Sequence, residues 1–406
     1  MIVQRFLGWV QNAPAGARAE ATSALARAYL YSGLDDRDRD DAEVALTSML
    51  DDPSPLVRRA LAEALASARE APHHCVRALA MDQSDIASIV LARSPVLTDA
   101  ELADCAAIGD VFAQSAIALR PGLRAPVAAA LTEVGCREAL ISLAVNTGAD
   151  VPERLLRRMI ERFGWDGEMR EAILTRQGLS SGLRAELVRA TARALADFVV
   201  GCEWLPEERA RRMSREAQEK GAITVAALDA AAASEPDMEL AGTLRRAGLL
   251  TPSLALRALL SGARGLFVAA LAELTGLPAA RVAGLVNKPQ SSGFLALYAR
   301  AKLPPALAPV FQLALTITAE HFARRAQRPA GRLSRSCAAL LRAASERTLA
   351  PEVSGEVISA LRRLEAEAAR ESARQSAAVA HAPSVPRMEP VFAIDFAAME
   401  AELSAA

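Results

Sequence analysis

Apolar residues recur along this chain at intervals of three and four, and strict apolar–polar alternation is scarce. That period belongs to helices with one buried face. The spacing predicts a helix over Ala21 to Tyr31, with Leu25, Ala28 and Tyr29 on one face. It predicts another over Arg39 to Leu50, with Val44, Ala45 and Met49 turned inward. Thr98 followed three residues later by Glu101 has the pattern of a capping box. A strongly charged helix is expected from Glu207 to Lys220, ended by Gly221 and dividing two lobes. The last helix of the folded part is expected from about Glu352 to Arg370, with Val357, Leu361 and Leu364 together.

Between the helical stretches one step recurs: Arg120-Pro121-Gly122-Leu123, Arg176-Gln177-Gly178-Leu179 and Arg246-Ala247-Gly248-Leu249, with a degenerate copy at Lys302-Leu303-Pro304-Pro305. Arg120 and Arg246 lie 126 residues apart, as do Arg176 and Lys302. Matched intervals suggest reused units, 120–195 and 246–321. In each step Gly is expected in the left-handed conformation that ends a helix. The Leu should be buried and the Arg should face carbonyls or solvent.

Composition agrees with helix. Apolar residues make up 52% of the 406, charged residues 23% and aromatics 4%, and Ala, Leu, Arg and Glu are strong helix formers. Net charge is −1, so no global field draws in nucleic acid or an anionic membrane. Three lysines stand against 44 arginines, a bias read at this level as GC-rich coding. Five scattered cysteines without a CxxC pair fit reduced thiols. The start of the chain lacks signal-peptide character, and the longest uncharged stretch, Pro304 to Ala319, falls short of the ~20 residues of a membrane span. A cytoplasmic protein with no membrane span is expected.

The segment Asp51-Asp52-Pro53-Ser54-Pro55-Leu56-Val57-Arg58, leading to Leu61 and Leu65, resembles a HEAT repeat, and Met81-Asp82-Gln83-Ser84 opens a second copy. In such repeats the turn acid and helix arginine bond along the stack. Together with Ala21-Thr22-Ser23-Ala24-Leu25, Ala92-Arg93-Ser94-Pro95-Val96-Leu97, the Arg-x-Gly-Leu steps and Leu260-Ser261-Gly262-Ala263-Arg264-Gly265-Leu266-Phe267, the order of these segments resembles the bacterial family filed as domain of unknown function 2336. The resemblance runs from about Phe6 to the 340s. It implies an all-α, HEAT-like α-solenoid of antiparallel helix pairs, and no reaction. The expected organisation is helical repeats over 1–200 and a helical C-terminal lobe over 201–370. A disordered linker over 371–390 and a short amphipathic tail helix over 391–406 follow.

Candidate chemistry is thin. His73-His74-Cys75 is the sole cluster of metal-ligand types and lacks paired spacing. No phosphate loop or nucleophile elbow is present. No catalytic residue, cofactor or metal is therefore assigned. Two sets of residues point to binding. In the tail, Phe392, Phe396, Met399 and Leu403 fall at i, i+4, i+7 and i+11, one helical face, with Asp395, Glu400 and Glu402 off it. That face suits docking on a partner or on the chain itself. Arg154, Arg157, Arg158 and Arg162 form a stripe for phosphates or an acidic partner, and a second basic run is Arg324, Arg325, Arg328, Arg332 and Arg335. The leading expectation is a non-enzymatic scaffold or adaptor that binds a protein. The alternative is a nucleic-acid-binding protein, related to DNA repair.

Overall fold

The computed structural model describes residues 6, 8–230, 236–323, 332–348 and 351–381. Regular structure among them is helical throughout. The first helices are α1 (Ala15–Tyr31), α2 (Asp36–Ser48), a 3₁₀ turn (Met49–Asp51), α3 (Pro55–Leu65), α4 (His73–Leu79), α5 (Ser84–Arg93) and α6 (Asp99–Ile108). There follow α7 (Val111–Ala118), α8 (Ala125–Val134), α9 (Arg137–Val145), α10 (Glu153–Phe163) and α11 (Gly167–Leu174). Two long helices, α12 (Ser181–Gly201) and α13 (Glu207–Ala230), form a hairpin. The remainder is α14 (Met238–Arg246), α15 (Pro252–Leu260), α16 (Arg264–Thr275), α17 (Ala279–Val286), α18 (Ser292–Arg300), a 3₁₀ turn (Pro305–Leu307), α19 (Ala308–Ala323), α20 (Arg335–Thr348) and α21 (Pro351–His381). No single described helix is long and apolar enough to cross a membrane.

Helices two apart in the sequence pack on each other. One row runs α1, α3, α5, α7, α9, α11, and another α6, α8, α10, α12, α14, α16, α18. The reason lies in short amphipathic helices, none of which buries its stripe alone. Val57, Leu61 and Leu65 of α3, for example, are fully enclosed only between neighbours. Buried apolar side chains form two clusters, Val10 to Leu187 and Ala185 to Leu364, which meet on α12. The five helices opening at Ala125, Arg137, Glu153, Gly167 and Ser181 precede by 125 to 127 residues those opening at Pro252, Arg264, Ala279, Ser292 and Ala308. Their packing differs: α8 contacts α10, whereas α15 lies against α16, α13 and α19.

Polar side chains join successive turns of the first row at both ends. At the helix starts, Arg18 pairs with Asp52 (2.8 Å) and Arg58 with Asp82 (2.7 Å). Ser84 then donates to Asp110, the Cys136 amide donates to the Gln114 side chain, and Arg137 pairs with Asp166. At the helix ends, Arg120 donates to the Ser94 carbonyl (2.6 Å) beyond α5. Asn146 donates to the Ala118 and Arg120 carbonyls (2.8 Å each) at the end of α7, and Arg176 to those of Asn146 and Ala149 (3.0 Å each) after α9. The carbonyls left over at helix C-termini are thus met by side chains one layer along the row.

The Arg-x-Gly-Leu steps fall where expected. Gly122, Gly178 and Gly248 have φ of 66, 73 and 69°. Leu123 and Leu249 are buried, and Leu179 packs on the first cluster. Arg246 departs from the other two, being exposed and bonded within its own helix. The fourth copy is shifted by two residues. Lys302 itself takes the left-handed place (φ 57°), and Arg300 plays the arginine part by donating to the Thr275 carbonyl at the end of α16 (3.0 Å).

Four other expectations are corrected. The first two helices begin earlier, at Ala15 and Asp36, and Val44 faces solvent (63% exposed), because Ala42, Ala45 and Leu46 provide the buried face of α2. Gly221 does not end a helix: α13 continues to Ala230. A Cβ at Gly221 would stand 2.2 Å from Val188 Cγ1, so this glycine is there to let α12 and α13 approach closely. The last helix does not stop at Arg370. It runs to His381, through an Ala-, Ser- and Arg-rich stretch without a proline before Pro383. The tail 391–406 and most of the second basic run, including Arg324, Arg325 and Arg328, lie outside the described residues.

Candidate functional site

A cleft of about 770 Å³ is bounded by α13, α15, α19 and α21. Its construction starts at Thr251. The Thr251 hydroxyl caps α15 by accepting from the Leu254 amide (3.1 Å) and donates to Glu219 of α13 (3.1 Å). Ser253 donates to the other oxygen of Glu219 (2.9 Å). One turn along α15, Arg257 places Nη1 and Nη2 2.9 and 2.8 Å from the two oxygens of Glu367 on α21. Its Nε lies 3.0 Å from Glu219, outside hydrogen-bonding geometry. Lys220 reaches Glu367 at 2.6 Å.

This cluster is largely out of water: the Arg257 side chain is 6% exposed, Glu219 9% and Glu367 20%. Burial works against the Arg257 charge, but the bond to Glu367 and the nearby acids outweigh it and hold the guanidinium above its ordinary value. Burial likewise opposes ionisation of Glu367, and the bonds from Arg257 and Lys220 overcome it, so its carboxyl sits below the usual 4.5. Two cations and two anions therefore balance at the base of the cleft and tie three helices together.

Above that base the balance is lost. The lining includes Arg212, Arg215, Arg363, Arg370 and Arg374, against Glu216 and Glu371. The apolar part of the wall that solvent reaches includes Leu256, Leu307, Leu333 and Val357, backed by the buried Val310, Phe311, Leu361 and Leu364. The Ser253 and Thr251 hydroxyls are engaged by Glu219. What the cleft offers is an apolar strip beside an excess of cations, suited to an anionic amphipathic ligand. The sequence reading missed it because its pieces come from residues as far apart as Arg212 and Arg374.

The arginine stripe on α10 is differently occupied. Arg158 pairs with Glu133 (3.0 Å) and Glu161 (3.2 Å), and Arg157 with Glu239 (2.9 Å) and Glu153. Arg162 donates to the Gly135 and Thr132 carbonyls at the end of α8. Arg154 is exposed. Three of the four thus hold helices together. Beside them, burial pushes the Glu186 carboxyl up despite Arg157, 3.5 Å away.

At His74 the structure brings together Cys75 Sγ (3.4 Å from Nε2), Thr47 (2.8 Å) and Glu43 (3.6 Å from Nδ1). The order Cys–His–Glu resembles that of thiol nucleophiles. The sulfur is fully buried, however, and burial pushes its thiol up, the reverse of activation. Among the described residues no group of three His, Cys, Asp or Glu side chains is placed to hold a metal.

A second surface stands out at the free end of the α12–α13 hairpin. Phe198 and Trp204 are 57% and 68% exposed, with their rings edge to face at 5.7 Å, and Leu195 and Met213 are exposed nearby in the sequence. Residues 86–350 match the sequence model of a family described as "Uncharacterised protein conserved in bacteria (DUF2336)". No curated protein and no solved structure matches the chain.

Proposed function

Starting from the fact that the chain belongs to this bacterial family, we propose that it is a HEAT-like α-solenoid that acts as a scaffold or adaptor for a protein partner. The observation that carries the reading is the aromatic end of the α12–α13 hairpin. Phe198, Trp204, Leu195 and Met213 are more apolar surface than a solvated hairpin needs, and such patches mark contact sites between proteins. The two rows of helices supply the rest of the argument. Stacked helix pairs joined by bonded turns make a long rigid surface, the form in which repeat proteins present partners to one another.

The nucleic-acid alternative draws less support from the same geometry. Arg157, Arg158 and Arg162 are engaged with carboxylates or carbonyls, and freeing them would cost the pairs they make.

The test compares tagged wild type with Phe198→Ser/Trp204→Ser in the host. A partner enriched at least tenfold by the wild type and lost with the double variant is the expected result. Equal recovery by both variants, or no reproducible partner with either, sinks the assignment. A gel shift on duplex DNA at low salt that is unchanged by the tip substitutions would turn the reading toward nucleic acid.

A further inference from the structure

We infer that the cleft between α13, α15 and α21 is a docking site for the chain's own segment 391–406. Three independent properties of cleft and segment agree. The first is charge. Above the balanced base, five arginines face two glutamates, while the segment carries Asp395, Glu400 and Glu402 and no cation. The second is apolar pattern. Phe392, Phe396, Met399 and Leu403 share one helical face, and the cleft offers the partly exposed Leu256, Leu307, Leu333 and Val357 beside its cations.

The third is length. Lining residues on α21 run from Val357 to Arg374, about 26 Å of helix. The segment 391–406, written as a helix, is about 24 Å long. The connection also closes. His381 ends α21 about 10 Å of helix beyond Arg374. Residues 382–390, with Pro383, Pro386 and Pro390, span up to ~30 Å when extended. The chain can therefore turn back and lay the segment along the cleft it has just left. The closure is local in sequence, so its entropic cost is small.

The test uses the full chain with a photoreactive benzoylphenylalanine in place of Phe396, and peptide mapping after irradiation. Adducts are expected within the cleft, on residues such as Val357 or Leu256. Their yield per chain should not change over a tenfold dilution. Arg363→Glu/Arg370→Glu should cut that yield at least fivefold. Adding Asp395→Arg/Glu400→Arg/Glu402→Arg to the same rim variant should restore it to within twofold, which separates lost charge pairing from lost folding. Adducts at the hairpin tip or elsewhere, adducts that join two chains and fade on dilution, or a rim reversal that changes nothing would each overturn the assignment. So would a charge swap that fails to restore the yield.

Discussion

At the residue scale the most telling positions are those with an unusual backbone. Gly122 sits at φ 66°, and a Cβ there would meet nothing within 4 Å. Its requirement is conformational rather than steric. Gly122→Ala should therefore destabilise by about 1 kcal/mol, the order of the left-handed penalty for an L-residue. Lys302 carries that penalty in the native chain, at φ 57°. Lys302→Gly should therefore stabilise, by up to about 1 kcal/mol once the extra freedom of unfolded glycine is counted. Paired thermal denaturation of the two variants checks this: opposite shifts are expected, and a fall in both would refute the account of Lys302. The arginines carry a related lesson. Their excess over lysine invites a reading in terms of coding bias. Yet Arg120, Arg162, Arg176 and Arg300 each donate into carbonyls at the end of a different helix. A planar fork with several N–H groups suits that task better than an ammonium.

At the element scale, Arg176 gives that argument a measurable form. Its two Nη atoms reach the Ala144, Asn146 and Ala149 carbonyls at 3.0 to 3.2 Å, in the turn between α9 and α10. Arg176→Met keeps the apolar stem and removes the donors. A loss of about 1–3 kcal/mol is expected, because carbonyls partly shielded from water are left unpaired. Amide exchange should quicken in the turn 144–150 ahead of global unfolding; uniform exchange along the chain would show that the contact is not local. Elements were legible where local chemistry decides them. The capping box at Thr98 and Glu101, the proline-led start of α3 and the glycine stops were all readable. Elements decided by neighbours were not. Gly221 reads as a stop and is instead a point of contact with Val188. The end of α21 at His381 reads as linker because its Ala- and Ser-rich composition serves both states. The cleft was illegible for the same reason: Glu219, Arg257 and Glu367 are unremarkable until three helices converge.

At the scale of the whole molecule, the ion cluster under the cleft decides how α21 is held. Leu361, Leu364 and Ala368 bury its apolar face, Glu365 pairs with Arg342 of α20, and Glu367 fastens it to Arg257 and Lys220. The sign of its pH dependence follows from its shift. The folded-state carboxyl lies below 4.5, so the stability it contributes is fully present above pH 4.5. That stability is lost as pH falls below 4.5 and through the folded-state value. Glu367→Gln should lower stability at neutral pH by about 1–3 kcal/mol, since Arg257 keeps Glu219 but loses its paired carboxylate. The difference between wild type and variant should shrink as the medium is acidified below pH 4.5, because protonation removes from the wild type what the substitution has already removed. Urea denaturation of both chains at pH 7, 5 and 3.5, followed by fluorescence of a probe on α21, reads this difference directly. A gap that persists unchanged at pH 3.5 would mean that side-chain packing rather than charge fastens α21. The cleft would then owe its shape to Leu361 and Leu364 instead of to the cluster at its base.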